Sequence, residues 1–226
     1  MLVDGGPDPE QVATELSALG VRRLDVVIAT HPHADHIVGL PAVFARFPVG
    51  LVLEPGCPDD SSFQADLDDA IRDEHVPVRY PRTGDTFTVG DVRLDILSPS
   101  ECWTGTNSDA NNDSIVTLAS LHEDTVLFAN EPEQPAQQAM LDAEAPLHAD
   151  VLNVPHHGAA TSIETFFQAV DPTVAVVSVG PNTYGHPVPE ILAEIRATGA
   201  ELYRTDRSGT VTVTFDEESL RVASAA

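Results

Sequence analysis

Three imidazoles and one carboxylate fall within six residues at His31-Pro32-His33-Ala34-Asp35-His36. Both side-chain types ligate divalent ions of the zinc or manganese class, and positions i, i+2, i+4 and i+5 of a tight loop can point at two adjacent points in space. A chance cluster on a solvated loop is the competing reading, and the remaining histidines weigh against it. Of nine histidines, six are read at strand ends (His31, His33, His36, His156, His157 and His186), whereas His75, His122 and His148 are read as solvent-exposed. Open sheets gather ligands at one edge of their strands, so this partition predicts one composite site and favours metal catalysis. No separate nucleophile is required: Cys57 and Cys102 lack a motif, and Ser114 follows Asn112-Asp113 rather than sitting in Gly-x-Ser-x-Gly.

The elements that must deliver these residues are read from apolar spacing. Residues 24–29 form a β-branched apolar run that reads as a buried strand, which places the histidine cluster in the loop at its end. Residues 2–6 read as the end of a strand, which leaves open that an upstream partner strand is absent. Helices are expected over 9–19, closed by Gly20, and just beyond the cluster, where Ile37, Leu40, Val43, Phe44 and Phe47 share a face. Further helices are expected over 62–74, after Glu133 to about 141, and over 162–169 and 188–198. Strands are expected at 51–53, 76–80, 115–120, 125–129, 151–154, 173–179, near 201 and at 210–215, with 86–89 and 92–97 forming a hairpin about Gly90-Asp91. A polar loop over 98–113 carries Trp103, the loop 180–187 carries His186, and residues 221–226 read as a frayed end. Hairpins together with strand–helix alternation predict an α/β (α+β) protein. Its expected form is two mixed sheets covered by helices in a four-layer αββα sandwich, a single domain spanning 1–226.

The formal charge of −25 comes from 36 acidic side chains against 11 basic ones, every one of them arginine. That sign is wrong for a tight, sequence-independent clamp on DNA, which needs lysine and arginine clusters to release counterions. It suits a chain kept soluble by self-repulsion, and a salt-rich interior is one setting in which the repulsion is screened. Cys57 and Cys102 show neither a CxxC spacing nor a matched pair, so a zinc ribbon is excluded; the two could form one bridge, which sequence does not decide, and two unpaired thiols are expected. No run of eighteen apolar residues and no export signal is read in the chain, and the compartment, cytoplasmic or extracytoplasmic, stays open.

The pattern His-x-His-x-Asp-His at 31–36 resembles the signature of the metallo-β-lactamase superfamily. Five segments, taken in order, are similar to the hydrolase-like C-terminal domain of ComEC-type DNA-internalisation competence proteins. They are residues 24–40, Asn111-Asn112-Asp113-Ser114-Ile115-Val116, residues 149–158 ending in His156-His157-Gly158, residues 178–187 ending in Tyr184-Gly185-His186-Pro187, and Arg204-Thr205-Asp206 to Gly209. The first motif specifies only the superfamily; the combination is more specific.

The resemblance implies a two-metal hydrolase binding zinc or manganese, with His31 and His33 on one ion and Asp35 and His36 on the other. His156 would complete the second ion's ligands, with His157 as its neighbour, its substitute or a structural residue. His186 would face the same pocket as a substrate contact, proton donor or further ligand, Asp4 would orient a metal histidine, and Asp35 would also orient the attacking water. The family's Gly-Asp after the strand ending at Phe128, whose Asp bridges both metals, is matched here by Asn130-Glu131. Glu131 places its carboxylate one methylene further out and would ligate only with a shift of the backbone. Asn153 stands where the family has Lys, and Ala159 where it often has Ser. The superfamily's third His is absent, which leaves Asn111, Asn112 or water near the first ion, and the family's opening hairpin is missing unless the chain was cut. The implied activity is hydrolysis of phosphodiester bonds, in DNA or a nucleotide-like ester, by a metal-activated water. Two alternatives stand beside it: hydrolysis of another ester such as a lactone or small phosphodiester, and a catalytically impaired metal-binding domain attached to a membrane channel in a longer protein.

Overall fold

In the computed structural model, which describes residues 1–216 and 219–225, two sheets lie face to face between two layers of helices. The first sheet is wholly parallel: β1 (Leu2–Val3), β2 (Val27–Ile28), β3 (Val52–Leu53) and β4 (Val78–Arg79), in that order. Parallel neighbours require crossovers, and these are α1 (Gln11–Ala18), then α2 (Ala34–Ile37) with α3 (Leu40–Arg46), then α4 (Ser62–Asp73). The second sheet is mixed. An antiparallel meander of β5 (Thr86–Val89), β6 (Val92–Ser98), β7 (Val116–Leu121) and β8 (Asp124–Phe128) is extended in parallel by β9 (Val151–Asn153), β10 (Val174–Val177) and β11 (Glu201–Arg204). Its crossovers are α6 (Gln134–Asp142), α7 (Glu164–Val170) and α8 (Pro189–Ala197), while the short α5 (Asp109–Asn112) interrupts the loop between β6 and β7.

Strand alternation explains the layering. Around β2, Leu24, Val27 and Ala29 face the helices with Leu40, Val43 and Phe44, whereas Val26 and Ile28 face the other sheet with Leu53, Ile96 and Ile115. The outer face of the second sheet is covered by α6 to α8, with Phe166 and Phe167 fully buried in that layer. Truncating either ring would cost about 3–5 kcal/mol.

The structure corrects three expectations. The helix after the histidine cluster begins inside it, so Asp35 and His36 stand on the first turn of α2. The C-terminal residues are not frayed: β12 (Thr210–Asp216) pairs antiparallel with β13 (Ser219–Ala225), after a short α9 (Thr205–Ser208), while Ala226 lies outside the described residues. Cys57 and Cys102 are not unpaired thiols but a disulfide with Cα atoms 5.5 Å apart. They lie in loops that only the packed sheets bring together, across a sequence separation of 45. Closing a loop of that length removes about 4 kcal/mol of unfolded-chain entropy in the chain-entropy account.

Candidate metal centre

The cluster forms where both sheets end. Beyond β1, the Asp4-Gly5-Gly6 turn runs against the junction of α2 and α3, and the amides of Gly5 and Gly6 donate to the His36 carbonyl at 2.7 and 3.1 Å. A Cβ on Gly5 would lie 2.6 Å from the Leu40 nitrogen, so only glycine permits this approach of two backbones. The approach seats Asp4 beneath the histidines. Its Oδ1 accepts the Thr30 amide at 2.8 Å, and its Oδ2 takes the Thr30 hydroxyl at 2.8 Å and His36 Nδ1 at 2.6 Å. Since the single Thr30 proton goes to Asp4, Thr30 Oγ1 accepts from His31 Nδ1 at 3.0 Å. His31 and His36 thus both present Nε2 to the pocket.

From the second sheet comes Glu131, just past β8 and only 2% exposed. The preceding Asn130 takes a left-handed conformation with φ 61°, and its carbonyl accepts the His156 amide at 2.8 Å. The two Glu131 oxygens divide the cluster. Oε2 lies 3.2 Å from His31 Nε2 and 3.9 Å from His33 Nδ1, while Oε1 lies 3.0 Å from His36 Nε2 and 2.9 Å from His157 Nε2. Asp35 Oδ2 closes the second set, 3.3 Å from His157 Nε2 and 3.8 Å from His36 Nε2.

Of the two adjacent imidazoles, the one that the resemblance allows as neighbour or substitute is the one set against Asp35. His157 joins Asp35 and His36, whereas His156 Nε2 faces Glu131 Oε2 at 3.7 Å, on the side of His31 and His33. Two consecutive left-handed residues, His156 at φ 49° and His157 at φ 52°, splay the rings apart at a cost of about 1–3 kcal/mol each. His157 Nδ1 donates to the Ser178 carbonyl at 2.7 Å, and His156 Nδ1 lies 3.1 Å from Thr161 Oγ1.

Charge is distributed unevenly over these groups. Burial, helped by the neighbouring His36, pushes His31 down to about 4, so its imidazole is neutral. Burial also opposes a charge on His157, but Asp35 and Glu131 outweigh it and raise that imidazole to about 10. His36 is likewise raised well above its ordinary value against its burial, by Asp4 and Glu131. Hydrogen bonding from His157 holds Asp35 down at about 2, and burial opposes a charge on Glu131, but hydrogen bonds from the surrounding imidazoles, His157 first, hold it far below the carboxylate range.

These donors fit divalent ions. His31, His33 and Glu131 offer ligand atoms within 4.8 Å of one another, and so do Asp35, His36, Glu131 and His157. All are nitrogen or oxygen, and three of the imidazoles have their far nitrogen fixed by Thr30, Asp4 or Ser178, as ligating histidines require.

His186 belongs to neither set. Its ring centroid stands 5.7 Å from that of His156, its Nδ1 is buried with no partner among the described residues, and burial followed by His156 and His157 lowers its pKa. Asn112 spends its side-chain amide on backbone and Thr106, its Nδ2 donating to the Ser108 carbonyl at 2.9 Å and to Thr106 Oγ1 at 3.1 Å. Its Oδ1 accepts the amides of Glu133 and Ala136, which holds the turn after Glu131. Asn111 reaches the cluster only through Glu133, donating to its Oε1 at 3.2 Å, while its own Oδ1 is buried and unpartnered among the described residues. Glu133, whose Oε1 lies 3.9 Å from His156 Nδ1, escaped sequence reasoning, as did Thr30, Thr161 and Ser178. Only their place beside the motifs marked them. His75, His122 and His148 are exposed, as read.

An αββα sandwich with this donor set at its sheet ends defines a class: residues 1–180 match the metallo-beta-lactamase superfamily model, and the chain belongs to that family. Among curated proteins it is 29% identical over 205 residues to "ComE operon protein 3" of Bacillus subtilis, covering 87% of this chain and 25% of that protein. It is 30% identical over 201 residues to "Competence protein ComA" of Neisseria gonorrhoeae, covering 88% and 26%. The chain therefore spans about a quarter of the length of these relatives. Among solved structures, the metallo-beta-lactamase fold protein YhfI from Bacillus subtilis superposes with a TM-score of 0.56 at 14% identity, covering 91% of this chain and 84% of that one. Igni18, a metallo hydrolase from Ignicoccus hospitalis, gives 0.53 at 15% identity, covering 85% and 80%. At these identities the superpositions establish the fold alone. Among the described residues, no helix is long and apolar enough to cross a membrane.

Proposed function

We propose that this domain is a two-metal hydrolase of phosphodiester bonds, with DNA as the substrate to test first. The observation that carries the reading is the division of Glu131, one carboxylate whose two oxygens face two separate imidazole sets. His31, His33 and Glu131 would hold one zinc or manganese ion, and Asp35, His36, His157 and Glu131 the other. Bound there, the ions supply Lewis acidity toward a phosphoryl oxygen and lower the pKa of water.

The chain's own groups do the rest. Asp35, half exposed and ionised at neutral pH, orients the attacking water through a carboxylate oxygen. His186, kept neutral by burial and its histidine neighbours, meets the substrate beside His156. Thr30, Asp4 and Ser178 keep the ligating rings from turning. The similarity to a competence protein supports a DNA-uptake setting.

A second reading, hydrolysis of a small ester or diester, is favoured by charge. An open cavity of about 390 Å³ adjoins Asp35, His36 and His157, and Asn153 in its wall offers no cation to a phosphate. With a net charge of −25, a long polyanion gains little from the surface. Metal content is to be counted on the reconstituted chain, alongside cleavage of single-stranded DNA and of a small chromogenic diester. Two ions per chain and turnover of both substrates are expected. Turnover of the diester alone selects the second reading, and bound metal with no turnover rejects both in favour of a non-catalytic metal-binding domain.

A further inference from the structure

The Ser178 carbonyl that accepts from His157 Nδ1 lies one residue past the end of β10. The β10–β11 ladder closes at Val177 paired with Arg204, so the ladder itself does not hold the segment that carries this carbonyl. Thr205, the residue after Arg204, takes over there. Its hydroxyl accepts the Val179 amide at 2.7 Å and donates to the Val179 carbonyl at 2.8 Å, with the Val177 carbonyl at 3.4 Å. One side chain thus closes both backbone groups of the residue that follows Ser178, which no apolar side chain of the same shape can do. Thr205 is itself anchored, since its carbonyl accepts the Gly209 amide at 3.0 Å, and Arg204 grips Asp206 side-on at 3.0 and 2.7 Å.

Building on the two-metal reading, we propose that Thr205 is a positioning residue for His157. By fixing the Ser178 carbonyl it fixes the ring plane and keeps the proton on Nδ1, because a carbonyl can only accept. Nε2 is thereby aimed at Asp35 Oδ2 and Glu131 Oε1. Thr205 touches neither an ion nor a substrate. The Arg204-Thr205-Asp206 segment, which resemblance marked without a role, acquires one.

The test is chelator-competition titration with zinc alone on the full chain and on Thr205→Val and Thr205→Ser, with circular dichroism to verify folding. Thr205→Val is expected to weaken the ion on the Asp35, His36 and His157 side about tenfold to a hundredfold and to leave the other ion unchanged. Thr205→Ser, which keeps the hydroxyl, restores the affinity. Nitrogen-15 spectra of the wild-type chain should show the His157 proton on Nδ1. Equal affinities for Thr205→Val and wild type overturn the proposal, as does a Thr205→Ser loss as large as that of Thr205→Val, or a His157 Nδ1 without a proton. Should Thr205→Val fail to fold, Thr205→Ala removes the same hydroxyl, and the wild-type spectrum decides where neither folds. A wild-type chain that takes up no zinc overturns the two-metal reading and this proposal together; two ions held alike by all variants overturn this one alone.

Discussion

The two halves of the centre share one carboxylate and differ in almost everything else. The His31 and His33 half comes from a single strand end, with His31 buried to 1% exposure and neutral by desolvation. The Asp35, His36 and His157 half is assembled from a helix turn and a strained turn of the opposite sheet, steadied by Asp4 from a third strand end. It is held together as hydrogen-bonded ion pairs. Desolvation leaves the first half ready to receive a cation. The second half satisfies itself with protons, and a cation must displace them.

The largest effect expected comes from removing what the halves share. Glu131→Gln keeps the shape but withdraws the charge from both sets at once. Metal affinity should fall at least about a hundredfold for each ion, beyond what loss of an outer partner costs. Metal counting after dialysis checks this. Survival of either ion at wild-type affinity would break the picture of a single divided carboxylate.

The next effect separates the halves. His157→Ala should remove the ion beside Asp35 and His36 and leave one ion per chain. His156→Ala should leave that ion in place, because its Nε2 faces the other Glu131 oxygen at 3.7 Å. Titration of both variants with the same metal decides between them, and the opposite pattern would return His156 to the ligand place that resemblance first gave it.

The contrast also explains what could be read from the chain alone. The first half is local: ligand types at fixed spacing beyond an apolar run are chemistry that sequence carries directly. The layers were legible for the same reason, since Val26 and Ile28 alternate with Val27 and Ala29. The second half is not local. Which of two adjacent histidines meets Asp35 depends on two left-handed residues in succession, a conformation that non-glycine residues seldom adopt and no side-chain type announces. The Cys57–Cys102 bond and the carboxylate of Glu133 beside His156 are likewise products of packing between segments distant in the chain.

A further difference between the halves lies in their response to pH. Binding at the second half must strip the proton from His157, raised to about 10, and that from His36, also raised. Each proton released strengthens apparent affinity about tenfold per pH unit while the group is still charged, so this ion should bind more tightly as pH rises toward 10. His31, lowered to about 4, is already neutral near pH 6 and contributes no such slope. Competition titrations at about pH 6 and about pH 8 should therefore show the steeper response for the ion beside His36 and His157.

The metal-free chain carries the same asymmetry into its stability. The raised His157 stabilises the fold fully below about 6.5, and that contribution is lost as pH climbs through 10, because the native state then holds a proton the unfolded state has released. The lowered His31 acts in reverse: its contribution is complete above 6.5 and is lost as pH falls toward 4, where the unfolded state binds the extra proton. For these two groups, stability should thus decline on both sides of pH 6.5, the alkaline side belonging to one half and the acid side to the other. Denaturant unfolding of the metal-free chain across that range reads both slopes. His157→Asn should make only the alkaline one shallower, the raised His36 supplying what remains, and flattening of the acid limb instead would invert the assignment of the halves.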